Sequence, residues 1–396
     1  MTLLETMMQQ LEKEEANIIE TRRDFHEYPE LSFQEKRTSE KISAFYKDLG
    51  MTAQSCGTGY GLIVDIDTGK PGKCLALRAD FDALPVTEAN GLSFASKNPG
   101  VMHACGHDGH TAYLMHVAKV LNENKNQLTG KIRIIHQPAE ELAPGGALAM
   151  IQDNCLAGVD NILGLHVMST MKKGTIQYHQ GETQTGRSNF TLTINGSGGH
   201  ASQPQLSNDA ILAGAYFVNM IQSIVSRRLD PFSMGVITIG SFDGKGSANV
   251  INGSVTLKGD VRYFDNSTKE LIQKNITEIA KGLEVAFEVK TDLDYNDNYP
   301  VLYNDPDFTE YVATTISKAN ISEITDVLES GKQDPSEDFA YFAQQVPASF
   351  IYAGCDVNDG KKHPHHSPEF LMDEACLIVA AKAVAAVVVD YLGEKS

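Results

Sequence analysis

The sequence predicts an α/β protein, a mostly parallel sheet with helices on both faces, carrying an inserted α+β, ferredoxin-like domain. Two observations predict it. Over residues 61–167, and again after Tyr299, short apolar runs alternate with helical patterns, the order of a parallel sheet with crossover helices. Between them, residues 184–296 switch to cleanly alternating strands in the order β-α-β-β-α-β, which implies an antiparallel sheet with helices on one face. The chain thus divides into residues 1–183 and 297–396, two parts of one discontinuous domain, and the insert 184–296. Its 396 residues and 42% hydrophobic content allow a large core.

The elements follow in order. Residues 1–20 read as an acidic amphipathic helix, without the basic start and apolar run of a signal peptide. Residues 61–67 and 74–79 are apolar strands around a Gly-Lys-Pro-Gly turn. Tyr113, Leu114, Val117, Ala118 and Leu121 share one helical face. Residues 131–136 read as a strand, 147–153 as a short helix and 161–167 as a strand. In the insert, 189–195 alternates, 207–227 is a long amphipathic helix, and 234–241 and 254–263 alternate again. There, 269–283 is helical and 284–291 is a strand. Residues 308–319 and 349–353 resume the first pattern. The apolar stretch 375–389, interrupted by Lys382, is shorter than the roughly 20 residues a membrane span needs and reads as a buried helix.

Composition excludes some partners. A formal net charge of −18 argues against nucleic acid and anionic membranes, which need basic patches. It also requires that an anionic substrate be held by local cations. The cysteines at 56, 74, 105, 155, 355 and 376 form no C-x-x-C pair, which suggests reduced thiols in a cytoplasm rather than a disulfide framework.

The chemistry gathers in a few places. In His103-Ala-Cys105-Gly-His107-Asp108-Gly-His110, a short loop before a helix can aim Cys105 and His107 at one divalent ion. His103 and His110 then read as supporting residues, and His116 as an ordinary packed histidine. Glu140 and Glu141 follow a strand and precede Gly145-Gly146, so a turn can bring both into one cleft. One would bind metal while the other takes a proton from water; taken alone, the pair would cap a helix. His166 lies in an apolar strand and His365 and His366 in a proline-bounded loop; alone, these read as a core histidine and surface histidines. Asp80, Glu140, Glu141 and His166 fall at predicted strand ends, where ligands collect in parallel sheets. Arg78-Ala-Asp80-Phe-Asp82 can orient a ligand or form a local ion pair. Ser336-Glu337-Asp338-Phe339 reads as a helix cap. In the insert, His200 protrudes from a glycine-rich turn. Asn249 and Arg262 place an amide and a guanidinium on neighbouring strand segments, suited to a carboxylate or to a surface ion pair.

Together these segments resemble the metal-dependent aminoacylase and carboxypeptidase family, in its amidohydrolase branch. The resemblance rests on Arg23-Asp-Phe-His-Glu-Tyr-Pro-Glu-Leu-Ser, Leu77-Arg-Ala-Asp-Phe-Asp-Ala-Leu-Pro, Met102-His-Ala-Cys-Gly-His-Asp-Gly-His, Gln137-Pro-Ala-Glu-Glu, Gly199-His-Ala-Ser-Gln-Pro and His366-Ser-Pro-Glu-Phe. It implies two divalent metal ions per subunit, bound by Cys105, His107, Glu141, His166 and His366. Zinc or manganese come first, with nickel or cobalt as alternatives. It implies Glu140 as general base, His200 as an oxyanion-stabilising residue delivered from the second subunit of a homodimer or higher homo-oligomer formed through a lid domain, and Asn249 and Arg262 as the grip on a substrate carboxylate. Asp80 stands where other branches carry a metal-binding His-x-Asp motif and becomes a supporting residue, and His365 competes with His366. The implied activity is hydrolysis of N-acyl-amino acids or small peptides with a free carboxylate. The alternatives are a dedicated N-acetyldiaminopimelate-type deacetylase and a noncatalytic metal- or peptide-binding protein.

Overall fold

The computed structural model describes residues 1–57 and 59–394. In chain order, α1 (Leu3–Glu27) and α2 (Lys36–Asp48) lead into β1 (Gln54–Ser55), β2 (Leu62–Asp67) and β3 (Cys74–Asp80). Then come α3 (His107–Glu123), β4 (Lys131–Gln137), α4 (Ala147–Gln152), β5 (Asn161–Met168) and β6 (Thr175–Tyr178). The middle of the chain forms β7 (Gly181–Gln184), β8 (Gly186–Asn195), β9 (Gly199–His200), α5 (Ala210–Arg227), β10 (Gly235–Asp243), β11 (Val250–Ile251), β12 (Ser254–Tyr263), α6 (Asn266–Phe287) and β13 (Lys290–Tyr299). Last are β14 (Leu302–Asn304), α7 (Pro306–Lys318), β15 (Asp326–Glu329), α8 (Ala340–Ala343), β16 (Ala348–Gly354) and α9 (Ala375–Leu392).

Two compact units result. The first comprises Met1–Thr183, Tyr303–Lys332 and Asp338–Ser396. Its 8-stranded sheet runs β1-β2-β4-β3-β5-β16-β6-β15. The central strands β4, β3, β5 and β16 are parallel, while β2 and β6 join antiparallel. Every residue of β3 and β16 is buried, so neither alternates, and the charged Arg78 and Asp80 at the end of β3 are buried with it. In α1 the buried residues Ile18, Arg22 and Phe25 extend the inward stripe past residue 20, so the helix continues to Glu27. The helix α2 was not read from the sequence, although Thr38, Ile42 and Tyr46 recur four apart and are buried.

Helix α9 is 18 residues long and apolar enough, by length and composition, to cross a membrane, yet it lies mostly buried within the unit. Lys382 on it is 1% exposed, and its ammonium is paired with Glu12 and Glu323. A buried charge is tolerable only with such partners.

The second unit comprises Gln184–Leu302 and Gln333–Glu337. Its 4-stranded antiparallel sheet runs β10-β12-β8-β13, and α5 and α6 share its core through Phe217, Ile221, Ile272 and Ile276. The boundaries at the end of this unit differ from the sequence reading. Residues 284–287, expected as strand, continue α6, because Ile276, Ala280 and Leu283 keep one buried stripe until Glu288 turns left-handed at φ 53°. The strand after it, β13, therefore runs through position 296, and the compact unit extends to Leu302.

Candidate metal centre and active site

Gly106 separates Cys105 from His107 and caps α3 with φ 94°. A Cβ there would lie 2.5 Å from Val167 Cγ2, so a left-handed, close-packed glycine is required. The break lets Cys105 leave the helix line while His107 opens the first turn. Cys105 Sγ sits 3.4 Å from His166 Nε2 on β5. His166 Nδ1 donates to the carbonyl of Val167 at 2.6 Å, which leaves Nε2 its lone pair. His107 is set the same way: Nδ1 donates toward the Asp82 carbonyl at 3.1 Å and the Asp82 carboxylate at 3.2 Å.

Beyond β4 the chain turns through the loop 138–146, in which Ala139 takes φ 55°. The backbone N–H of Glu141 donates to Asp82 Oδ2 at 2.9 Å, and Ser32 Oγ donates to the same oxygen at 2.7 Å. One buried carboxylate thus holds both His107 and Glu141. Glu141 Oε1 lies 3.3 Å from His366 Nε2 and 3.8 Å from His107 Nε2. His366 has φ 62°, a left-handed conformation costing on the order of 1 kcal/mol, and its N–H is tied to the Ala104 carbonyl at 2.8 Å. Its side chain is 54% exposed against 8% for Glu141, so the cluster opens to solvent on that side.

The ligand atoms of Cys105, His107 and His166 lie within 4.8 Å of one another, as do those of Cys105, Glu141 and His366, and those of His107, Glu140 and Glu141. Shared members join all six into one cluster. His107 Nε2 is buried with no hydrogen-bond partner among the described residues, a cost of roughly 1–3 kcal/mol unless a ligand meets it, and Glu141 Oε1 meets the His366 ring at 3.3 Å. Sulfur, imidazole and carboxylate donors suit a borderline divalent cation, so the residues present fit a metal centre. Of the two adjacent histidines, His366 belongs to this cluster. His365 Nε2 instead accepts the Ser169 N–H at 3.1 Å, and its ring packs on Phe370.

The titratable groups of the cluster bias one another strongly. Burial opposes a charge on His107, yet the negative charges of Asp80, then Cys105, hold it well above the ordinary histidine range. Bonds to Cys105 and Glu141 push His366 up to about 10. Burial, then Glu141, raises the Cys105 thiol. Burial, then His110 and His365, keeps His166 well below the usual value.

The supporting residues differ from the sequence reading in detail. Asp80 pairs with Arg78 and with His110 Nδ1, each at 2.6 Å, and lies 3.9 Å from His107 Nδ1. His110 Nε2 accepts the Val167 N–H at 2.9 Å, so Asp80 acts on the β5 end through His110. The hydrogen bond to His107 belongs to Asp82, two residues on in the same motif. Ser336 and Asp338 do not cap a helix: α8 starts after Phe339 without a side-chain cap. Ser336 accepts from Arg262, and the Asp338 carboxylate is buried against Arg78, Gln137 and the N–H of Ala147. A helix of this length has little N-terminal field to reward capping, whereas a buried guanidinium needs a carboxylate.

In the second unit, His200 on β9 pairs in register with Val250 on β11, which brings the neighbouring Asn249 beside the same two-stranded ladder. His200 Nδ1 accepts from the Ser202 N–H at 3.2 Å, so in the neutral ring Nε2 carries the proton. Arg262 lies on β12, its Nε on Asp260 at 2.7 Å and Nη1 on Ser336 at 3.1 Å.

Residues 76–390 match the model of peptidase family M20/M25/M40. The N-acetyl-L-cysteine deacetylase of Bacillus subtilis (strain 168) is 36% identical, over 93% of this chain and 86% of its own. Thermostable carboxypeptidase 1 of Saccharolobus solfataricus is 34% identical, over 99% of both. The crystal structure of a dinuclear metal binding peptidase of Bacillus subtilis superposes with a TM-score of 0.83 at 29% identity, covering 96% of this chain and 99% of that one. A chain that matches the family model over most of its length, and its relatives almost end to end, is a member of that family: this protein belongs to peptidase family M20/M25/M40.

Proposed function

We propose that this protein hydrolyses the amide bond of N-acyl-amino acids or small peptides that carry a free carboxylate. The observation that carries the reading is the convergence of Cys105, His107, Glu141, His166 and His366 with Glu140 beside them. Two divalent ions are the cofactors, zinc or manganese before nickel or cobalt, held by those five side chains. A cation bound there supplies Lewis acidity, lowering the pKa of water and polarising a carbonyl. Glu140, buried next to Glu141, takes a proton from the attacking water and returns it to the leaving amine. His200 donates its Nε2–H to the oxygen that becomes negative. Asn249 and Arg262 hold the carboxylate, the guanidinium supplying the local cation that an acidic protein must provide. The relatives named as a deacetylase and a carboxypeptidase support amide cleavage next to a free carboxylate.

The protein acts as a homodimer formed through the second unit. Leu212, Tyr216 and Met220 recur four apart on α5 and are 48%, 51% and 40% exposed, an apolar stripe suited to a second copy. All six cysteines are free, which supports a reducing, cytoplasmic setting.

The test is a panel of N-acetyl-, N-benzoyl- and dipeptide substrates with metal-stripped and reloaded protein, and Glu140→Ala as control. Metal-dependent release of amino acid, abolished in the variant, is expected. Turnover confined to N-acetyldiaminopimelate would narrow the reading to a dedicated deacetylase. Equal peptide binding by both proteins with no hydrolysis would replace it by a noncatalytic binder.

A further inference from the structure

Glu140 and Glu141 sit on a loop whose two stems meet at a single carboxylate. Gln137, the last residue of β4, donates its Nε2 to both oxygens of Asp338 at 2.7 Å. Ala147, the first residue of α4, donates its N–H to Asp338 Oδ2 at 3.1 Å. Arg78 Nη2 meets Oδ1 at 3.0 Å, and Arg78 Nε holds Gln137 Oε1 at 2.8 Å. Asp338, Arg78 and Gln137 are all buried. The fit at the stem is tight. Gly145 has φ 81°, and a Cβ on it would lie 2.2 Å from Asp338 Oδ2; a Cβ on Gly146 would lie 2.0 Å from the Pro138 carbonyl. The loop also closes on itself through the Gly146 N–H to the Ala139 carbonyl at 3.1 Å.

Resting on the reading of Glu140 as general base, we infer that Asp338 is a positioning residue: its carboxylate clamps both stems of the loop 138–146 and so fixes where Glu140 and Glu141 stand. The clamp reaches the other side of the cluster as well. Arg78 joins Asp338 to Asp80, Asp80 holds His110, and His110 accepts the N–H beside His166. A carboxylate suits this position because Arg78, Gln137 and the Ala147 N–H all donate to it. An asparagine would turn an NH2 toward Arg78 or toward the Ala147 N–H, a donor facing a donor, and one stem would come away. A displacement of about 1 Å at a catalytic group costs on the order of 100-fold in rate.

The experiment compares wild type, Asp338→Asn, and the exchange Asp338→Asn with Gln137→Glu. The exchange returns a carboxylate to the cluster, now beside Arg78 Nε and able to accept from the new amide. Expected for Asp338→Asn is a kcat about 10- to 100-fold lower per folded, metal-loaded molecule, KM within about twofold, and metal affinity about 10-fold weaker in chelator competition because Glu141 shares the loop. The exchange recovers at least about threefold of the kcat, as a restored clamp requires. Unchanged kcat and metal affinity in folded Asp338→Asn, with only a lower Tm, overturns the positioning role. If the single variant does not fold, the exchange decides: kcat near wild type supports the clamp, and a kcat as low as expected of the single variant overturns it. In the wild type, amide hydrogen exchange at 139–147 is expected to be slow, like that of β4. Exchange as fast as at the exposed turn 357–362 overturns the clamp whatever the variants do. A wild type that hydrolyses no amide removes the underlying reading instead, and leaves the exchange and metal measurements standing.

Discussion

Consider Asp82→Asn, a change of one atom in the carboxylate that organises the cluster. Three donors converge on it: Ser32 Oγ at 2.7 Å, the Glu141 N–H at 2.9 Å and His107 Nδ1 at 3.2 Å. The amide must point its NH2 at one side. Toward His107, it favours the tautomer with the proton on Nε2 and removes the lone pair a metal would use. The Asp82 carbonyl, 3.1 Å from Nδ1, offsets part of that. Toward Glu141, it leaves a buried N–H unpaired, at about 1–3 kcal/mol. Losing the residue that orients a ligand typically weakens metal binding about 10- to 100-fold, or about 1.4–2.8 kcal/mol. The assay is competition between the protein and a chromophoric chelator for zinc and for manganese, with urea unfolding of the metal-free proteins as a separate readout. A folded Asp82→Asn protein that binds both metals within about twofold of wild type would refute the reasoning.

Other outcomes follow from the same geometry. Metal affinity should rise with pH, because His107 and His366 are held protonated in the metal-free cluster, His366 to about 10, and must lose those protons to bind; calorimetry in buffers of different ionisation enthalpy counts the protons, and a count of zero between pH 6 and 8 would contradict this. Buried His136, bonded to Tyr46 and Thr111, is pushed by burial down to about 3. A depressed histidine stays neutral in the folded state while the unfolded chain protonates near pH 6.5, so stability is full above that pH and falls as pH drops toward the folded value, by about 1.4 kcal/mol per pH unit. Unfolding free energies from urea curves at pH 7, 6 and 5 should fall little between pH 7 and 6 and approach that slope between pH 6 and 5, and His136→Gln, if folded, should reduce the fall. Lys382→Met removes a buried cation with both its pairs and should change stability by less than about 2 kcal/mol, whereas Glu323→Ala together with Glu12→Ala should cost about 3–5 kcal/mol; equal losses in thermal unfolding would count against the pairing. For the homodimer, mixing inactive Glu140→Ala with inactive His200→Ala subunits should restore part of the activity, and silence from confirmed heterodimers would argue against catalysis across subunits.

The sequence by itself determined the architecture and the donor atoms. Non-alternating, mostly apolar strands at β3 and β16, clean alternation along β8 and β12, and the apolar helical pattern of α3 each reflect a period set by backbone geometry and by which faces are buried. The cysteine, histidine and glutamate types of the cluster were legible because few residue types can hold a divalent ion. Tertiary structure decided the rest, because local sequence carries no record of distant partners. The turn from α6 to β13 depended on where a buried stripe ran out. Asp338 reads locally as a helix cap, and only the fold brings it to Arg78, Gln137 and Ala147, far away in the chain. Asp80 and Asp82 have the same chemistry two positions apart; the close of strand β3 after Asp80 aims one at His110 and the other at His107. Likewise His365 and His366 are neighbours in sequence, but the left-handed backbone at His366 sends that ring to Glu141 while the ring before it meets the Ser169 amide. A side chain's type is written in the sequence; its direction is set by backbone conformation and packing, which only the assembled chain fixes.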